Sequence, residues 1–372
     1  MKDTLGLIFA YQNEESMQSL TKVRASSSVP YGGRYRIVDF VLSNMVNSGI
    51  TKVGVITRNN FQSLMDHLGS GKEWDLSRKN GGLYILPPFS QSTGYRGKME
   101  ALKNAESFIR KSTEEYVVLA TANAITNQTY DEALAYHKEK QADITIIYKK
   151  SQVKKYEDGA TIGNIITLDA DNRVVDVAIN PEVGDAEVCR STEQIIIRRS
   201  LLETLIADCA SHYMYSFHKD VLQRHLKDLK IYGFATDKYI AKVDSIATYY
   251  DASMDLLSGE TRAELFYQPN QVFTKIRDEA PTLYLGDSEV SNSMIADGCI
   301  IEGTVENSII FRGVHIHKGA VVKNSIIMQD ADIQANAELA YAILDKDVVI
   351  REGRKLYGWE RTPYVVAKGQ VI

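Results

Sequence analysis

Two different periods divide this chain. Through roughly the first 250 residues, short apolar runs take turns with stretches whose apolar residues recur at helical spacing. Residues 5–10 (LGLIFA) are apolar without alternation, as a strand buried on both faces is. A helix is expected over 38–47, where Phe40, Val41, Met45 and Val46 make a stripe that Gly49 ends. Further strands are expected at 53–57 (VGVIT), 116–119 and 144–148, with a helix over 131–140. This βαβ rhythm predicts an α/β domain with a mostly parallel sheet covered by helices. Ligands of such sheets sit beyond the carboxyl ends of the strands, which points to the loops after Ala10 and after Leu119. Residues 164–177 predict a hairpin turning through Asp169, Ala170, Asp171 and Asn172. Residues 239–257 form a mixed segment ending in a helix, and Pro269 and Pro281 bracket a stretch of little periodicity.

From about Val290 the pattern changes to a period of six. Ile295, Ile301, Val305, Phe311, Ile316, Val322, Met328, Ile333, Leu339, Leu344 and Ile350 mark it, with small and polar residues between them. A hexapeptide period predicts a left-handed parallel β-helix, each short strand stacking on the coil below. The expected domains are therefore 1–258 (α/β), a linker over 259–285, and 286–372 (β-helix).

Composition narrows the partners. With 43 basic and 48 acidic residues among 372, the net charge is −5, which gives no general attraction to nucleic acid or to an anionic membrane. The 24% charged and 44% hydrophobic content fits a soluble globular protein. Cys189, Cys209 and Cys299 have neither disulfide-framework nor metal-ligand spacing, so they are expected as free thiols in a reducing cytoplasm. No apolar run approaches the ~20 residues of a membrane span, and the run at 5–10 is too short for a signal peptide.

The segment 20–88 carries a family resemblance. SVPYGGRYRIVDFVLSNMVNSG (28–49), VGVIT (53–57) and WDLSRKNGGLYILPP (74–88) resemble bacterial glucose-1-phosphate adenylyltransferase, which makes ADP-glucose. The likeness spans nearly the whole chain and implies a Rossmann-like (GT-A-type) nucleotidyltransferase domain before the β-helix. In-line transfer at a nucleotide phosphorus needs positioning and charge neutralisation: a glycine loop, cations on the phosphates, a carboxylate Mg²⁺ site and sugar contacts.

Position by position, the resemblance implies that these parts are lost. The family's GGxGxRL loop becomes YQNEESM, with Tyr11, Gln12 and Glu14 at the glycines and Ser16 at the arginine. Side chains stand where backbone would meet phosphate, and Glu14 and Glu15 are anions. The lysine of AKPAVPFGG becomes Ser26 in ASSSVPYGG. The metal aspartate of SGDHIY becomes Asn123 in ATANAIT, and that of WKDVGT becomes Lys242 in IAKVDSI. Asp244 lies two residues on, and a slip in register would bring it to the metal position. The sugar-phosphate lysine of EEKP becomes Asn180 in AINP, and the GTANAI loop becomes GKMEAL (97–102). One lost charge-stabilising group costs roughly 10³–10⁵ in phosphoryl transfer. Several losses leave negligible turnover even when they are non-additive.

What is kept is scaffold and surface: Pro30, Gly32, Gly33, Asp39, Ser43, Asn44, Trp74, Asp75, Gly81 and Gly82 among others. The resemblance narrows to the GlgD-type subunit, implying a non-catalytic regulatory or structural partner of an intact paralogue in a heterotetramer. Mg²⁺ is then expected only in that partner, and no cofactor or metal in this chain. Two alternatives are an active nucleotidyltransferase with altered substrate or metal use, and a homomeric sugar-phosphate sensor. Family members respond to phosphorylated metabolites, which makes Arg24, Arg34 and Arg36 effector candidates, although QANAELAYAIL (334–344) lacks the basic residues some members place there. His315 and His317 (GVHIHKG) fall on one face of a strand, where exposed coil residues are the expected reading rather than an acyltransferase base.

Overall fold

The computed structural model describes residues 1–372 except 2, 12, 13, 59, 89–93, 153–162 and 184–185. The central strand, β1 (Thr4–Phe9), is buried along its whole length, as its unbroken apolar run requires. Helix α1 (Ile37–Asn47) leads to β2 (Lys52–Ile56) and then to β3 (Gly82–Leu86). Beyond the short helix α2 (Lys98–Asn104) lie β4 (Tyr116–Thr121), the two-residue β5 (Ala124–Ile125), helix α3 (Asp131–Glu139) and β6 (Ile144–Gln152). The hairpin predicted at 164–177 is formed by β7 (Asn164–Leu168) and β8 (Val174–Ile179). Asp169 closes its turn by accepting from the backbone N–H groups of Asp171 and Arg173, each at 2.9 Å.

The order β8-β7-β9-β4-β1-β2-β3 runs through the sheet, where β9 is the long strand Glu187–Arg198. It is parallel from β4 to β3, the half that carries the loops after Ala10 and Leu119. Strand β9 enters antiparallel to both β4 and β6, so the whole is a mixed sheet. Strand β10 (Ile231–Ala235) pairs in parallel with β6. Two apolar clusters sandwich the sheet, one under α2 and the following helices and one under α1 and α3.

His137 of α3 adds a pH handle to this core. It is 1% exposed, and its Nδ1 lies 2.8 Å from Thr145 Oγ1. Burial pushes its pKa down to about 4, with Arg198 acting in the same direction. Below its ordinary value the unfolded chain takes a proton that the folded chain refuses until about pH 4. Stability is therefore expected to fall as pH drops from 6.5, by about 2 kcal/mol at pH 5 from this residue. Urea melts of wild type and His137→Gln at pH 7 and pH 5 check this, the variant losing the smaller amount.

The C-terminal part is a three-sided prism of three five-stranded parallel sheets, the arrangement of a left-handed β-helix. The residues expected to mark the period from Ile301 onward are buried, but two face the other way. Ile310 and Ile327 fill the prism, while Phe311 and Met328 pack outward onto the α/β domain. Each sits one place past a strand residue that points inward, and a count of six cannot register that alternation.

Residues 259–285 hold helix α5 (Gly259–Phe266), and Leu283–Tyr284 already pairs with Ile300–Ile301 as the first β-helix rung. The preceding helix, α4 (Ile246–Met254), locks this junction. Tyr249 donates to the Pro30 carbonyl at 2.8 Å, Tyr31 to the Ala252 carbonyl at 2.7 Å, and Tyr250 to the Asn324 carbonyl of the β-helix at 2.7 Å. None of the three cysteines is bonded to another. Among the described residues no helix is long and apolar enough to cross a membrane.

Candidate functional site

The carboxyl ends of β1 and β4 open onto the cleft where the altered loops lie. Tyr11, two residues past the end of β1, turns into the protein and is 5% exposed. Its ring lies 5.5 Å from that of Tyr95, and the Arg58 guanidinium sits over it at 4.6 Å. Burial pushes its phenol pKa up, with Arg58 opposing. A tilted pair of tyrosine rings capped by a guanidinium thus stands at a position that the family resemblance gives to a loop glycine. Glu14 follows, its carboxyl pushed up by burial despite the pull of Arg58. Its carbonyl accepts from Thr21 Oγ1 at 2.6 Å. Ser16 lies half-buried in the turn Glu15–Met17, and Ser26 is buried in the turn Ser26–Ser28. Gln12 lies outside the described residues.

On the β4 side the structure shows which groups surround Asn123. Strand β11 (Ala241–Lys242) pairs antiparallel with β5, Lys242 opposite Ala124, and the Val243 N–H donates to the Asn123 carbonyl at 2.8 Å. Asp244 consequently faces Asn123. Asn123 Nδ2 donates to Asp244 Oδ1 at 2.7 Å, and Thr121 Oγ1 donates to Asn123 Oδ1 at 2.7 Å. The other oxygen of Asp244 forms an ion pair with Lys242 Nζ at 2.9 Å. This carboxylate is held by an amide and an ammonium. Among the described residues no group of three potential metal ligands converges at this cleft.

A second buried carboxylate, unforeseen from the sequence, closes the cleft floor. Glu193 sits at a bulge of β9 with φ 61°, in the left-handed region, and is 7% exposed. It accepts from Lys98 and, at 2.6 Å, from Asn164 Nδ2, and lies 3.2 Å from His218 Nε2. Burial alone would push its carboxyl up, yet His218 and Lys98, with Lys242 behind them, hold it well below the ordinary range. Lys98 is thereby paired with a carboxylate inside the protein. Gly97, just before Lys98, is a glycine by necessity, since a Cβ there would lie 2.2 Å from the Tyr215 carbonyl oxygen. Asn180 lies exposed just past β8, in the left-handed region at φ 44°.

The three candidate effector arginines are split. Arg24 is buried, its two terminal nitrogens paired with both oxygens of Asp345 in the β-helix at 2.9 and 3.0 Å. It is an inter-domain tie rather than an open anion ligand. Arg36 donates to the carbonyl and hydroxyl of Ser63, and its backbone N–H donates to Asp39 Oδ2, which begins α1. Arg34 is exposed beside its neighbour Tyr35. Arg34 and Arg36 line a junction pocket of about 280 Å³ together with Lys275, Arg277, Arg312 and Lys346. Its lining contains no carboxylate, while Arg277 is paired with Glu279 and Arg312 with Asp297 just outside it. Arg24, Arg36, Lys346 and Lys368 line an adjoining pocket of similar size. Outside 334–344, basic residues border the pocket at Lys346, just past that stretch, and at Arg312, two coils earlier. Burial, then Arg36 and Arg24, push the Lys346 pKa down to about 8, and burial holds Arg36 at about 10.

Residues 15–255 match the nucleotidyl transferase family, and residues 285–361 match the GlmU-like C-terminal hexapeptide family. The chain is similar to the glycogen biosynthesis protein GlgD of Bacillus subtilis, 33% identical over 99% of this chain and 96% of that protein. It is 37% identical to GlgD of Geobacillus stearothermophilus, with the same coverage. It is also 33% identical to glucose-1-phosphate adenylyltransferase of Geobacillus stearothermophilus, over 87% of this chain and 84% of that protein. With a mixed nucleotidyltransferase sheet, a three-sided hexapeptide prism and this likeness along almost its full length, the chain belongs to the family of GlgD and glucose-1-phosphate adenylyltransferase.

Proposed function

We propose that this chain is a non-catalytic, regulatory or structural subunit of glucose-1-phosphate adenylyltransferase in glycogen biosynthesis. It acts in the cytoplasm beside an intact, Mg²⁺-binding paralogue in a heterotetramer. The observation that carries the reading is the cleft chemistry: a buried tyrosine, Tyr11, stands at a family-glycine position, and Asp244 is tied to Asn123 and Lys242. The carboxyl-free junction pocket supports the regulatory half, because clustered guanidinium and ammonium groups suit a phosphorylated sugar. Coupling of such a site to a partner needs only ~1–3 kcal/mol and no reaction in this chain's own cleft.

The purified chain is expected to give no ADP-glucose from ATP, glucose 1-phosphate and Mg²⁺ above a no-enzyme blank. Turnover near that of an intact relative would overturn the reading. It would favour instead an active enzyme using Asp244, the one carboxylate that faces Asn123. Co-expression with an intact paralogue is expected to yield a mixed tetramer by native mass measurement. A homo-oligomer that ignores the paralogue would favour a lone sugar-phosphate sensor.

A further inference from the structure

The β-helix carries a histidine–carboxylate cluster far along the chain from the cleft residues. Ile301, Ile316 and Ile333 stack in register and fill the prism. Alternation then sends their neighbours outward: Glu302 from one coil, His315 and His317 from the next, and Asp332 from the third. The imidazole rings of His315 and His317 stack with centroids 3.6 Å apart. His315 Nε2 lies 2.9 Å from Glu302 Oε1, and His317 Nε2 lies 2.7 Å from Asp332 Oδ1. Ligand atoms of Glu302, His315 and His317 all fall within 4.8 Å of one another, and the three residues are only half-buried, open to solution.

The geometry points to a divalent transition-metal site of the zinc class on this face, formed by His315, His317 and Glu302 with Asp332 beside them. Two ligand atoms on one tetrahedral ion with bonds near 2.0–2.1 Å stand ~3.3 Å apart, so the His315–Glu302 contact is close to ligand spacing already. Imidazole nitrogen with carboxylate oxygen selects zinc, cobalt or nickel over magnesium, which prefers oxygen alone and keeps its waters. The two stacked rings each direct Nε2 at a carboxylate, so that two ring nitrogens and two carboxylates gather on one face of the prism. The ion ties successive coils of the prism, and it does so without any group of the nucleotide cleft.

The test uses the full chain, stripped with chelator and titrated with ZnCl₂, CoCl₂ or MgCl₂ by calorimetry. Zinc is expected to bind at about one equivalent with a micromolar or tighter constant and to raise the melting temperature. His315→Ala/His317→Ala is expected to weaken binding by about 100-fold or more and to abolish that rise, and Glu302→Gln to weaken it by about tenfold. Visible absorption from Co²⁺ on the unaltered chain gives a readout that needs no variant. Zinc binding that survives the double histidine substitution unchanged, absence of a Co²⁺ spectrum, or Mg²⁺ binding as tightly as zinc would each overturn the site.

Discussion

Asp345→Ala is expected to destabilise the fold by about 3–5 kcal/mol and to open the contact between the α/β domain and the β-helix. The reason is burial. Asp345 is fully buried and Arg24 is 3% exposed, so truncating the carboxylate strands a guanidinium away from water. The pair itself offers little net stability, because desolvating two charges nearly cancels their attraction. The double substitution Arg24→Met/Asp345→Leu is therefore expected to recover most of the loss. Urea unfolding followed by intrinsic fluorescence reads both. An unchanged midpoint in Asp345→Ala would mean that water reaches Arg24.

The second large effect concerns the junction pocket and rests on the proposed effector role. Lys346→Met is expected to weaken binding of a sugar bisphosphate by about tenfold or more, since a hydrogen bond to a charged group contributes about 1.5–3 kcal/mol. The pH dependence has a definite sign. With its pKa pushed down to about 8, Lys346 is charged at pH 7 and loses its proton as pH rises through 8. Affinity should thus be full at pH 7 and fall towards pH 9, while Arg36, held at about 10, stays charged. Without ligand the same substitution should stabilise the fold at pH 7, because Lys346 is charged there against the preference of its surroundings. Titration calorimetry at pH 7 and pH 9, beside a thermal melt, separates these outcomes. Equal affinity at both pH values would remove Lys346 from the anion site.

Local pattern carried much of the architecture. The apolar run of β1, the stripe of α1 and the hexapeptide period each reflect one element meeting one core, and such signals survive in a window of a few residues. The mixed character of the sheet depends on the direction in which β9 enters, which no window contains. Tyr11 was visible as a lost glycine, but its ring finds Tyr95 and Arg58 only after three loops converge. The place of Asp244 followed from the pairing of two-residue strands too short to leave a pattern. Glu193 left only ordinary polar neighbours in sequence, since its bulge and left-handed backbone are set by tertiary pairing. Lys275, Arg312 and Lys346 stand in separate segments, each an unremarkable charge until folding gathers them.

Lys346 follows Asp345 directly, and its own backbone N–H donates to Asp345 Oδ1 at 2.7 Å. One short stretch of chain therefore grips the α/β domain with one residue and borders the anion pocket with the next. An anion held by the Lys346 ammonium would therefore lie one residue along the chain from the buried ion pair that joins the two domains.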